Sequence, residues 1–227
     1  MSEASEQAGA FFGRRKGKKL RAGQDELVQT LLPAIRVTPG AAPSSQFPNP
    51  QALETWLEIG FGGGEHLAAQ AHARRDVNFI GCEPFMNGMA KLLAAIDHEK
   101  LDNVRVWDDD VTKLLPTLPD GSFDRVYILY PDPWPKRRQR KRRLVSDSML
   151  DTLARVMKPG AELRFTSDID DYIGWVLARA LRSNRFRWTA TRADHWRKPY
   201  EGWPGTRYEA KAIREGRVPS YLTLVRV

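Results

Sequence analysis

Residues 127–143 read YILYPDPWPKRRQRKRR and bring a carboxylate, an indole and a run of cations together. An apolar, strand-like stretch ends at Tyr130-Pro131-Asp132-Pro133-Trp134, and residues 136–143 then supply seven basic side chains in eight positions. Proline fixes its own φ and restricts the residue before it, so Pro131, Pro133 and Pro135 present Asp132 and Trp134 on a stiff backbone. A stiff acidic and aromatic corner suits a nucleobase, and the basic run beside it suits phosphates. Taken alone, that run reads equally as a solvated helix start. Its position directly after PDPW favours the polyanion.

Other groups with chemical potential recur at intervals. Glu58-Ile59-Gly60-Phe61-Gly62-Gly63-Gly64 follows a strand pattern and precedes a helix pattern. Gly60 and Gly62 permit a tight turn and close backbone approach to a ligand, although a purely structural turn would look the same. The order differs from the dinucleotide G-x-G-x-x-G, and Glu58 would repel a pyrophosphate while welcoming an ammonium or sulfonium. Glu83 ends the next strand, where an acid can accept both hydroxyls of a ribose. Asp108-Asp109-Asp110 follows the third strand, where one carboxylate can take an adenine amino group. Asp168 ends the fifth and reads either as a ligand contact or as a helix cap. Thr206 and Glu209 read either as site residues or as a capping box. Cys82 is the single cysteine, and His66, His72, His98 and His195 show no zinc spacing with it, so no metal is expected.

Positioning these groups requires a sheet. Strands are predicted at 55–59, 77–82, 104–107, 125–130 and 162–166, with late strands at 187–191 and 221–227. Helical spacing marks 65–73, 86–96, 144–157 and 172–182, the third closed by Lys158-Pro159-Gly160, with residues 203–209 in the loop before the last strand. This alternation implies an α/β fold with a mostly parallel, doubly wound sheet and an antiparallel edge. The polar motifs then all fall at the carboxyl ends of the strands, where open α/β sheets bind ligands. Residues 1–50 read as a basic, mobile arm and a proline-rich extended lead-in, and 51–227 as the compact domain.

Charge is distributed unevenly over the 227 residues. The net charge is +8, yet six basic residues lie in 14–21 and seven in 136–143, and removing those thirteen takes the rest of the chain to −5. Two cationic handles on a mildly acidic body suit a polyanion better than a small acidic metabolite or a membrane surface. No apolar signal core and no run of transmembrane length is present, so a cytoplasmic protein is expected.

With these segments in order, the chain resembles the bacterial tRNA (guanine-N7-)-methyltransferases, which have a Rossmann-like class I methyltransferase fold. The resemblance runs from GRRKGKKLR through LEIGFGGGEHL, FIGCEP, PDPWPKRRQRKRR and TSDIDDY to TRYEAKAIREG, nearly the whole chain. It implies S-adenosylmethionine binding by Glu58, Glu83, Asp110 and Asp132, beside the loop glycines Gly60 and Gly62, with Asp132 also the catalytic residue. It implies substrate contacts at Lys136, Asp168, Thr206, Arg207, Tyr208 and Glu209. It implies RNA contacts at Arg138, Gln139, Arg140, Lys141, Arg142 and Arg143, with the variable-loop guanine at position 46 of tRNA as target. Gln139 stands where the family usually has His, and Ser167 separates Thr166 from Asp168 where the family reads Thr-Asp. No partner subunit is evident.

The reaction implied is displacement of a methyl group from a sulfonium by guanine N7, which has a free lone pair and sheds no proton. Positioning matters more than a strong base. Asp132 can accept from the Watson–Crick edge and offset charge developing on the ring. Trp134 stacks on the base or, with slight preference, wedges the loop. An exocyclic-amine methyltransferase and an RNA-binding module without catalysis are the rival readings.

Overall fold

The computed structural model describes residues 12–48 and 52–227; residues 1–11 and 49–51 of the expected arm and lead-in lie outside the described residues. Seven strands form one sheet: β1 (Glu54–Ile59), β2 (Val77–Cys82), β3 (Val104–Trp107), β4 (Phe123–Leu129), β5 (Met157–Ser167), β6 (Phe186–Trp188) and β7 (Ser220–Arg226). Their order is β3-β2-β1-β4-β5-β7-β6. The first five strands are parallel, and β7 runs antiparallel between β5 and β6. This is the mostly parallel α/β sheet with an antiparallel edge that the motif spacing implies.

Strand side chains alternate between two cores, as a pleat requires. Trp56, Phe79, Val106, Tyr127 and Leu129 face α1 (Ala22–Ile35), α2 (Glu65–Ala73) and α3 (Met86–Glu99). Leu57, Ile59, Ile80, Cys82, Val126 and Ile128 face α4 (Val111–Leu114), α5 (Asp147–Val156) and α6 (Asp170–Arg182). Both faces are therefore covered, which is why the inner strands are apolar at almost every position. Two short helices follow, α7 (Asp194–Arg197) and α8 (Arg207–Arg214).

Beyond shifts of a few residues at element ends, such as β6 at Phe186–Trp188 where 187–191 was expected, four segments differ from the sequence expectation. Residues 22–35 are helical, where an arm and an extended lead-in were expected. Leu27, Val28, Leu31, Leu32 and Ile35 form an apolar stripe at helical spacing, and Leu32 and Ile35 are buried in the same core as Met89 and Leu93 of α3. Pro33 lies in the last turn, and the helix ends two residues after it, at Ile35. The folded unit among the described residues thus begins well before residue 51. The helix expected at 144–157 begins at Asp147, capped by the Ser146 hydroxyl, which accepts from Met149 N at 3.1 Å. Residues 137–142 form a separate 3-10 turn. Lys158-Pro159-Gly160 lies in the start of β5 and not in a helix terminus. Finally, Arg207–Arg214, read as part of a loop, is helix α8, with Thr206 Oγ1 accepting from Glu209 N at 3.0 Å.

Candidate active site

A cleft of about 1270 Å³ opens along the carboxyl edge of β1 to β4. Its floor is the glycine turn after β1. Gly60 and Gly62 adopt φ of 74° and 60°, a region only glycine enters without strain. The first glycine is open to the cleft: a Cβ there would have no neighbour within 4 Å. Helix α3 is set hard against the turn, since a Cβ at Gly88 would stand 2.0 Å from the Gly62 carbonyl oxygen.

Glu83 directly follows β2 on the cleft wall. Its Oε2 accepts from Gly62 N at 2.8 Å and its Oε1 from Phe85 N at 2.9 Å. Burial pushes its carboxyl above the usual range, against these two donors, with Asp132 adding repulsion. A buried carboxylate held by two N–H groups keeps lone pairs free on both oxygens, and further donors such as ribose hydroxyls would stabilise it. Asp110 is buried at the start of α4, where its carboxylate accepts from Thr112 N at 2.9 Å. Its neighbour Asp109 is ion-paired with Arg15 at 2.7 Å and Lys113 at 2.8 Å. Burial opposes ionisation there, but Lys113, the Asp110 N–H and Arg15 outweigh it and hold Asp109 well below the usual carboxylate range. The open glycine turn, the donor-seeking Glu83 and Asp110 two strands away fit an adenosyl group.

Glu58 departs from its expected place. It is buried beside α2, where it meets His66 Nδ1 at 2.7 Å, and it does not line the cleft. The reason is the strand's period of two, which turns Glu58 to the α2 side with Trp56 while Ile59 faces the other core. His66 is enclosed by Tyr127 and Trp203, with ring centroids at 4.8 and 5.0 Å. Spacing along the chain gives no signal for this pair.

After β4 the PDPW corner is strained as well as stiff. Tyr130 and Trp134 have φ of 49° and 42°, unusual for non-glycine residues. Tyr130 N donates to Thr166 O at 2.8 Å, which pins the corner to β5. Asp132 is exposed on the cleft wall. Trp134 packs edge-on against Phe12, with centroids 6.4 Å apart, and the Arg142 guanidinium lies 4.8 and 5.0 Å from the two rings. The arm is thereby drawn onto the cleft. Arg15 O accepts from Met86 N at 3.0 Å, and Asn87 bonds both Gly17 N and Lys18 O. Residues 12–18 were expected to be free; their partners on α3 could not be read from the arm's own composition.

The basic run divides. Lys136, Arg137, Arg138 and Lys141 are exposed, Gln139 partly so. Arg140 pairs with Asp171 at 2.8 Å. Arg143, expected among the RNA contacts, is instead buried. Its side chain binds Asp171 and the Pro133 carbonyl (2.8 Å) and stacks on Tyr172 and Trp175 at 4.8 and 4.9 Å. The guanidinium, through its hydrogen bond, and Arg140 hold Asp171 below its ordinary range. Arg143 thus fastens the PDPW corner to α6 and is turned away from any phosphate.

Among the expected substrate residues, Arg207 and Tyr208 stand over the turn. The Tyr208 ring lies about where a Gly62 Cβ would touch it, at 3.2 Å, and Arg207 donates to its hydroxyl at 3.3 Å. Glu209 is buried, accepting from Trp203 Nε1 at 2.7 Å and from the Tyr221 hydroxyl. Asp168 is paired with Arg217, and the N-cap position of α6 is Ile169, with no side-chain cap, so Asp168 is not its cap. Among the described residues no cluster of three or more His, Cys, Asp or Glu could hold a metal, and no helix is long and apolar enough to cross a membrane.

The chain is similar to known proteins. A family model described as "Putative methyltransferase" matches residues 53–220. A tRNA (guanine-N(7)-)-methyltransferase of Chelativorans sp. (strain BNC1) is 54% identical, covering 96% of this chain and 95% of the relative. One of Agrobacterium fabrum (strain C58 / ATCC 33970) is 52% identical, covering 96% and 95%. In fold, the chain is similar to the 16S rRNA methyltransferase KamB, with a TM-score of 0.58 at 16% identity over 78% of this chain and 90% of that one. A cleft built on PDPW and the glycine turn, and relatives matching over nearly their whole length, lead to one conclusion: the chain belongs to the tRNA (guanine-N(7)-)-methyltransferase family.

Proposed function

We propose that this protein transfers a methyl group from S-adenosylmethionine to N7 of a guanine in tRNA, acting in the cytoplasm on the variable-loop guanine at position 46. The observation that carries this reading is that Asp132, on a strained corner, shares one cleft with Glu83 and the exposed cationic turn. Glu83, Asp110 and the Gly60–Gly62 backbone would hold the cofactor. Bound there, S-adenosylmethionine supplies an electrophilic methyl carbon. Glu58, paired with His66, supports the turn from the α2 side.

The protein's own task is positioning, because N7 attacks with a lone pair and sheds no proton. Asp132 accepts from the guanine Watson–Crick edge and offsets the positive charge the ring acquires. Arg207 and Tyr208 wall the base from the α8 side, while Glu209 and Asp168 hold that wall through Tyr221, Trp203 and Arg217. Trp134 wedges the corner against Phe12, leaving Lys136, Arg137, Arg138 and Lys141 to meet phosphates. The target base leaves its stack to enter.

The test is methyl transfer to an unmodified tRNA transcript followed by nucleoside mass analysis, which is expected to yield 7-methylguanosine at position 46. A transcript with 7-deazaguanine there keeps the Watson–Crick edge but lacks the N7 lone pair. It is expected to bind nearly as well and to accept no methyl group. Methylation of that transcript would overturn the N7 assignment in favour of an exocyclic amine.

A further inference from the structure

Residues 207–217 read RYEAKAIREGR, four bases and two acids, so the linear sequence shows bases and acids intermixed with a net charge of only +2. Folding separates them. Glu209 turns inward and is buried against Trp203 and Tyr221. Arg217 leaves the helix and is committed to Asp168 and Glu215. Arg207, Lys211 and Arg214, spaced by four and three residues, are left on one exposed face of α8. Their nearest counter-charges are distant for ion pairs: Glu65 is 3.7 Å from Arg207 and Glu215 is 3.9 Å from Lys211. Arg214 has no ion-pair partner among the described residues. The first of the three stands at the cleft, beside Tyr208, while the 3-10 turn at 137–142 lines the same cleft from elsewhere.

We propose that the outer face of α8 is a second backbone-binding surface, on which Lys211 and Arg214 hold tRNA phosphates beyond the target base while the 137–141 turn holds others. A single cationic patch leaves a polyanion free to pivot about it. A second patch across the cleft fixes the strand that must deliver a base to Asp132. The proposal rests on the tRNA reading above.

The experiment compares wild type, Lys211→Gln/Arg214→Gln, and a charge-matched control, Lys100→Gln/Lys158→Gln, at the opposite edge of the sheet. Each is titrated with unmodified tRNA across a salt series. The α8 pair is expected to weaken tRNA binding and make the log–log salt slope shallower by about two, one per lost phosphate contact. KM for tRNA is expected to rise while kcat at saturating tRNA and calorimetric S-adenosylmethionine affinity stay at wild-type values. The control pair is expected to bind as wild type. An α8 variant that retains cofactor affinity and the full salt slope overturns the proposal, as does an equal loss in the control. If the wild type neither binds nor methylates tRNA, the functional reading falls and the proposal with it; if the wild type forms 7-methylguanosine and the α8 variant binds tRNA with unchanged affinity and salt slope, the proposal alone falls.

Discussion

In the proposed function, cofactor binding depends on Glu83. Its oxygens are oriented by Gly62 N and Phe85 N, so a ribose meets a carboxylate already fixed in place. Replacing it with Ala is expected to weaken S-adenosylmethionine binding by about 1.5–3 kcal/mol, the loss of charge-assisted hydrogen bonds, while tRNA binding persists. Calorimetry on the folded variant decides this, and unchanged affinity would remove Glu83 from the site. The ionised form is the acceptor, and burial raises its pKa. Protonation therefore sets in at a higher pH than for an exposed Glu, and affinity is expected to fall on acidification from neutrality earlier than an ordinary carboxylate would allow. Glu83→Gln is expected to bind weakly and to lose that pH dependence. Asp132 is exposed, so Asp132→Asn is not expected to alter the melting temperature. In the proposed function its charge faces the base, so turnover is expected to drop by orders of magnitude, about 3 kcal/mol in transition-state stabilisation. Near-normal turnover would leave Asp132 as a loop-shaping residue.

At the scale of elements, the corner after β4 is held by its neighbours and not by its prolines alone. Tyr130 and Trp134 sit in a sparsely populated backbone region, which persists only where surroundings impose it. Thr166, Arg143 and the Phe12–Arg142 stack supply that constraint. Arg143→Ala is expected to lower the melting temperature and cost about 1–3 kcal/mol, because the partly buried Pro133 carbonyl loses its donor and two rings lose their packing. Arg138→Ala, from the exposed part of the same run, is expected to leave stability unchanged and to weaken tRNA binding. Thermal denaturation beside a binding titration separates the two; equal melting temperatures would mean that Arg143 does not fasten the corner. Helix α1 was legible in principle, since its stripe from Leu27 to Ile35 has helical spacing. The prolines around it argued for extended chain, and tertiary burial against α3 overrode them.

For the molecule as a whole, the cationic segments are expected to make tRNA affinity fall steeply with salt while cofactor affinity hardly changes. If about four to six cations meet phosphates, the log–log slope should be roughly −3 to −5. Deleting residues 1–21 should make it shallower, and an unchanged slope would exclude the arm from RNA contact. Much of this architecture follows from local pattern. Strand and helix alternation dictates the parallel sheet, and the glycine turn, Glu83, Asp110 and PDPW each follow a strand, so their shared edge is implied before any coordinates. These features depend on residue type and short-range spacing, which a linear chain displays. Pairings between segments far apart do not. Glu58 with His66, Arg143 with Asp171, Glu209 with Tyr221 and residues 12–18 with α3 were settled only by tertiary structure. In the first three cases burial decides whether a charged side chain meets solvent or a partner, and burial is a property of the packed molecule; residues 12–18 stay exposed and are held by backbone bonds to α3. The sequence thus determined which residues could do the chemistry, and packing decided which of them face the cleft.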